Sequence, residues 1–166
     1  MDGYRAIITK RDTRAFTEQA IGEDVLHRIL QAGRMAGSSK NTQPCRFVVI
    51  DEQAQKERIA TCGDFATWAP NAALLIAVAA SDKSTRAEFD AGRAAQNMMV
   101  AAWADGVSSC PMSMHRQDCA RETLGLPAEF YVNAVIGFGY PAKAPRHVPE
   151  AARLPFEEYV RRNRWS

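Results

Sequence analysis

The chain has 166 residues, 46% apolar and 24% charged, enough for one domain with a sizeable core. Its formal net charge of +2 offers no electrostatic reason for nucleic acid or an anionic membrane surface as the main partner. The longest continuous apolar run, Ala72 to Ala80, is too short for a bilayer, and the N-terminus lacks the pattern of a cleavable leader, so a cytoplasmic protein is expected.

A leading helix is expected over about Gly3 to Thr9. Leu26, Ile29, Leu30 and Gly33 fall at i, i+3, i+4 and i+7, which predicts an amphipathic helix over Glu23 to Ala36. Phe47 to Ile50, with two adjacent valines, reads as a short buried strand. Asp51 is placed to cap a polar helix over about Gln53 to Cys62. Ala73 to Ala79 is a second buried strand. Ser84 or Thr85 then opens a long helix reaching Asp105, where Gly106 stops it. That helix is rich in small residues, among them Ala87, Ala91, Gly92, Ala94 and Ala95, so another helix can approach it closely. Arg116 to Leu124 forms a short helix ended by Gly125, and Tyr131 to Phe138 a third strand. Beyond Tyr140, four prolines (Pro141, Pro145, Pro149 and Pro155) indicate an extended C-terminal tail, residues 140–166, on a single domain that takes in all of 1–166. Strands alternating with helices point to an α/β or α+β sandwich with three or four strands.

Four cysteines (Cys45, Cys62, Cys110 and Cys119) occur without a Cys-x-x-Cys pair or nearby paired histidines. No metal site and no disulfide framework is expected, and each reads as a small buried hydrophobe. Gly137-Phe138-Gly139-Tyr140-Pro141-Ala142 imitates a dinucleotide fingerprint, but Pro141 denies it the helix that must follow. Cys110 and His115 could be imagined as nucleophile and base, yet no third group orients them. Trp68, Trp103 and Trp165 read as packing residues.

Two polar segments carry the chemistry. Lys10-Arg11-Asp12-Thr13-Arg14-Ala15-Phe16 concentrates cations that can hold an anion, arginine with a planar fork and lysine as a point charge. Ser38-Ser39-Lys40-Asn41-Thr42-Gln43-Pro44-Cys45-Arg46-Phe47 gathers hydroxyls and amides that donate and accept without adding charge. Alone, the first is a solvated patch and the second a loop. Their order and spacing together carry the signal.

That order and spacing resemble the nitroreductase-like FMN oxidoreductases. The family's first motif usually reads Arg-Arg-Ser-x-Arg-x-Phe or Tyr, and its second Pro-Ser-Ser/Ala-x-Asn-x-Gln-Pro-Trp-x-Phe. The resemblance implies an α+β fold with a small, mostly antiparallel sheet flanked by helices, in a homodimer with FMN at the interface. It implies that Lys10 and Arg11 lie near the FMN phosphate, that Asp12 touches the flavin, and that Arg14 approaches the N1/O2 edge. A fixed cation at that edge favours the reduced, anionic ring on physical grounds also. By resemblance Ser38, Ser39, Asn41 and Gln43 serve the ring bound mainly to the partner subunit. Asp90 to Met98 resembles the family's central helix, with a structural role. Gly106 to Met114 resembles the stretch passing flavin N5, which places Pro111, Met112 and Ser113 there. Arg153-Leu154-Pro155-Phe156-Glu157-Glu158 resembles the family's ending and implies a phosphate ligand at Arg153. The sequence departs from the pattern at Asp12 (for Ser), Gly37 (for Pro) and Cys45 (for Trp).

The activity implied is FMN-dependent transfer of hydride from NADH or NADPH to a small acceptor, such as a nitroaromatic or quinone, by ping-pong kinetics. No dedicated catalytic acid or base is required. Alternatives are a non-catalytic flavin-binding or sensing dimer, or a specialised branch performing dehalogenation or flavin fragmentation.

Overall fold

The computed structural model describes residues 1–81, 83–146, 148–149 and 152–165. Among the described residues, six α-helices and four strands follow in the order α1 (Gly3–Thr9), α2 (Glu23–Arg34), β1 (Cys45–Ile50), α3 (Gln53–Ala60), β2 (Leu74–Ala80), α4 (Thr85–Ala104), β3 (Ser108–Met112), α5 (Gln117–Thr123), β4 (Tyr131–Gly139) and α6 (Phe156–Tyr159). The strands make one antiparallel sheet in the order β1-β2-β4-β3, so β1 and β3 are its opposite edges.

β2 is buried at every position, which explains why its sequence is continuously apolar rather than alternating. Leu74, Ile76 and Val78 join Ile136 and Phe138 of β4 against Ile29 of α2 and Met98, Met99 and Ala102 of α4. Leu75 and Ala77 join Val132 and Val135 on the other face, under Ile59 of α3 and Ala120 of α5. The result is three layers, helix pair, sheet and helix pair.

Small residues set the spacing of α2 and α4. A Cβ on Gly33 would lie 2.8 Å from Met98 Cγ and 3.0 Å from Phe47 Cζ, so the glycine is required by space. Ser84 caps α4 by accepting the Ala87 N–H at 3.3 Å, as its sequence position suggests. Asp51 does not cap α3. The cap position is Glu52, without a side-chain bond, and Asp51 is exposed.

Two further expectations are corrected. The stretch after Gly106, where the sequence pattern named no strand, contains a true strand, β3. Pro111 can occupy it because β3 is an edge, where a missing N–H leaves no ladder partner short. Cys62 and Cys119 are joined by a disulfide with Cα atoms 5.6 Å apart, linking the end of α3 to α5, whereas Cys45 and Cys110 are free thiols.

Replacing Gly33 by Val should destabilise the fold by about 1–3 kcal/mol through overpacking against Met98 and Phe47. Urea denaturation measures it; an unchanged midpoint would show that the α2–α4 gap is loose.

Candidate functional site

The first polar segment lies along the free edge of β3. Asp12 forms an isolated parallel bridge with Ser109, and the Thr13 N–H donates to Ser109 O at 3.2 Å. Thr17 N–H then bonds Tyr140 O at 2.8 Å, and Ala142 N–H bonds Ala15 O at 3.0 Å. Phe16 is seated over Gly139, where a Cβ would come within 2.8 Å of its ring.

The cations divide by role. The Lys10 ammonium pairs with the Asp12 carboxylate and touches Met99 Sδ at 3.4 Å. Asp12 therefore brings a neutralising partner, which answers how a carboxylate can stand where the family has serine. Arg11 is turned onto backbone, donating to Ile8 O at 2.9 Å, Lys10 O at 2.7 Å and Val148 O at 3.3 Å. Its Nε is buried without a partner among the described residues. Arg14 is exposed and directed outward, its guanidinium 5.9 Å from the centre of the Trp68 ring. Beside it lies Cys110, 4% exposed. Burial pushes the Cys110 thiol up, and the Arg14 cation partly opposes that. The neighbouring Ser108 and Ser109 hydroxyls are buried without partners among the described residues.

The second polar segment sits at the start of β1. Lys40, Asn41 and Gln43 all have positive φ (52°, 56° and 49°). Such backbone in non-glycine residues costs of order 1 kcal/mol each and is characteristic of sites that hold a ligand. Local bonds hold the loop in that shape. Ser38 Oγ accepts the Gln43 N–H at 2.9 Å, and the buried Asp90 carboxylate of α4 accepts the Ser39 N–H at 3.0 Å. Arg93 faces Asp90 at 3.8 Å and occupies the space above Gly37, where a Cβ would meet Nη2 at 2.6 Å. A side chain at position 37 would have to displace that guanidinium, the movable end of a half-exposed arginine. A pocket of about 470 Å³ opens beside the loop, lined by Leu30, Gly33, Ser38, Gln43, Cys45 and Phe47.

The two segments do not meet within one chain. Three inter-strand gaps separate β1 from β3, roughly 14 Å across the sheet. Cys45 shares a row with Ala80 and Tyr131, whereas Ser109 pairs with Phe138, which adds roughly 20 Å along the strands.

Pro111 and Ser113 are exposed at the end of β3, and Met112 between them is buried. Their backbone is backed by the 61–64 turn. Cys62 O accepts both the His115 and Arg116 N–H groups at 3.1 and 3.0 Å, and Arg116 Nε donates to Thr61 O at 3.1 Å. Arg116 also holds Asp64, whose carboxyl is thereby kept below its usual range. Arg153 is exposed on the tail and makes no hydrogen bond or ion pair with the described residues.

Sequence reasoning missed a cleft of about 630 Å³ beside Arg14, lined also by Phe16, Glu18, Lys56, Pro70 and Asn71. Lys56 sits in a helix of mostly polar sequence. It is only 7% exposed, and its ammonium donates to Ala72 O at 2.8 Å. No local pattern marks it; only the packing of α3 on the 69–73 turn does.

The Nitroreductase family model matches residues 7–62 and 64–140. The chain belongs to the nitroreductase family. An Archaeoglobus fulgidus protein provisionally named NADH dehydrogenase/NAD(P)H nitroreductase is 27% identical over 170 residues, covering 97% of each chain. The NADPH-flavin oxidoreductase of Vibrio harveyi is 26% identical over 177 residues, covering 96% of this chain and 72% of its own. Among solved structures, a provisionally named nitroreductase from Desulfovibrio desulfuricans in complex with FMN superposes with a TM-score of 0.87 at 25% identity, covering 100% of this chain and 99% of that one. No described helix is long and apolar enough to cross a membrane.

Burial moves Lys56 below its usual 10.5, so the unfolded chain holds that proton more tightly than the folded one. The contribution of Lys56 to stability is therefore diminished at low pH and grows as pH rises toward 10.5. Denaturation midpoints of wild type and Lys56→Met across the alkaline range should diverge in favour of wild type; parallel curves would show a fully solvated ammonium.

Proposed function

We propose that two copies of this chain bind FMN in two clefts and use it to oxidise NADH or NADPH at the expense of a small acceptor, such as a nitroaromatic or quinone. The observation that carries this reading is the placement of two built polar half-sites on opposite edges of one sheet, in a chain of the nitroreductase family. One half presents Arg14 with the Pro111–Ser113 edge, and the other presents Ser38, Ser39, Asn41 and Gln43 in a strained loop. A second copy supplies the missing half. Exposed Tyr4, Ile7, Phe89, Phe156, Tyr159 and Trp165, each more than half accessible, are the apolar surface such an association covers. We read the whole chain as one domain whose tail from residue 140 serves that association.

The donor set fits FMN. Arg14, exposed and without an ion pair to a described carboxylate, is the cation for the N1/O2 edge, and the amides and hydroxyls of the second half suit the polar end of the ring without adding charge. Lys10 enters as a Lys10–Asp12 pair, which presents a cation at the phosphate end and a carboxylate acceptor for N3–H or a ribityl hydroxyl. Arg11 is engaged by carbonyls and retains an unpartnered Nε. Arg153 completes the phosphate end if the tail closes over it.

When bound, FMN accepts hydride from the nicotinamide and passes it to the acceptor. The chain's part is to hold the ring, leave one face open to each substrate in turn, and stabilise negative charge at N1/O2 through Arg14. Protons come from solvent, and no side chain is needed as acid or base.

Purified protein should be yellow, release FMN on denaturation and oxidise NAD(P)H when an acceptor is present. Arg14→Ala should weaken FMN binding by about tenfold or more, the scale of one charged hydrogen bond. A colourless protein that ignores added FMN would refute the reading.

A further inference from the structure

We propose that Trp68 is the positioning residue for Arg14: its indole face fixes where the guanidinium stands, and through it the affinity and reduction potential of the bound flavin. The inference rests on the FMN reading of the site and adds a residue that no motif marks.

The indole is held before any ligand arrives. Its Nε1–H donates to Phe65 O at 2.9 Å, which sets the rotation of the ring. Its far edge lies on β4 at Gly137, where a Cβ would stand 2.7 Å from Cζ3 and 3.1 Å from Cη2. Phe16 flanks it with ring centres 6.3 Å apart. Gly137 has no unusual φ, so glycine is needed there for space, and the space is filled by Trp68. The fixed face then meets Arg14, whose Cζ lies 5.9 Å from the ring centre, within cation–π range.

Arg14 depends on that face. It is exposed and forms no ion pair with a described carboxylate, and the neighbouring Cys110 thiol is a weak partner. A long, unpaired cation would otherwise sample many rotamers, and its entropy would be lost again on binding a ring edge. Trp68 removes part of that freedom in advance. A merely structural tryptophan, filling the gap over Gly137, would change stability without coupling to Arg14.

The test is a double-mutant cycle on the FMN-bound protein, reading FMN dissociation constant and flavin midpoint potential for wild type, Trp68→Leu, Arg14→Ala and the double variant. Trp68→Leu should weaken FMN roughly two- to fivefold and lower the potential, the range expected for one exposed cation–π contact. Trp68→Phe should retain most of both properties. Gly137→Ala, which displaces the indole, should reproduce Trp68→Leu. In the Arg14→Ala background, Trp68→Leu should change neither quantity. Equal effects of Trp68→Leu with and without Arg14 would overturn the proposal while leaving the FMN site intact. Wild-type protein that takes up no FMN would overturn both. Should Trp68→Leu fail to fold, the cycle is run with Trp68→Phe, where a small loss present only with Arg14 supports the proposal and a loss independent of Arg14 refutes it.

Discussion

Everything about the site follows from the strand order β1-β2-β4-β3. That order sends the cationic segment to one margin of the sheet and the amide-rich loop to the other, diagonally opposed. Backbone bridges tie the first to β3, and the loop is continuous with β1. Neither margin can fold over to meet the other, because both faces of the sheet are covered by helices. A flat ligand that needs both sets of groups needs a second molecule, and that is the constraint behind the proposed dimer.

The core serves this arrangement by being narrow. Alanines along α4 and Gly33 on α2 bring helices and sheet close, so few large side chains are needed to fill the layers. Rigidity at the margins comes from polar anchors. Asp90 reaches from the buried face of α4 to hold the Ser39 N–H, and Cys62 O holds the backbone that follows Ser113. The strained φ values at Lys40, Asn41 and Gln43 persist because those anchors over-determine the loop.

Much of the fold was legible. Helical spacing at Leu26 to Gly33, the apolar run before Ala80, and Ser84 with Gly106 around the long helix each state a local rule that the structure obeys. What was illegible is non-local. β3 hides because Pro111 and three small polar or sulfur residues carry no strand pattern, and only pairing with β4 makes it a strand. The Cys62–Cys119 bond joins positions 57 residues apart, which spacing alone cannot pair. Lys56 and Trp68 belong to segments whose burial depends on the 61–73 turn folding back on β4. Within the two motifs, the positive φ at Asn41 and Gln43 and the Lys10–Asp12 pairing were not legible, since they depend on loop closure and side-chain direction.

The most direct measurement mixes two defective variants, Arg14→Ala and Gln43→Ala, co-refolded in equal amounts and assayed for bound FMN and NAD(P)H oxidation. If each cleft draws one half from each chain, hybrid dimers contain one doubly damaged cleft and one intact cleft, and about a quarter of all clefts should regain wild-type behaviour. If each chain builds its cleft alone, every cleft keeps a defect, and the mixture would show only the average of its parents.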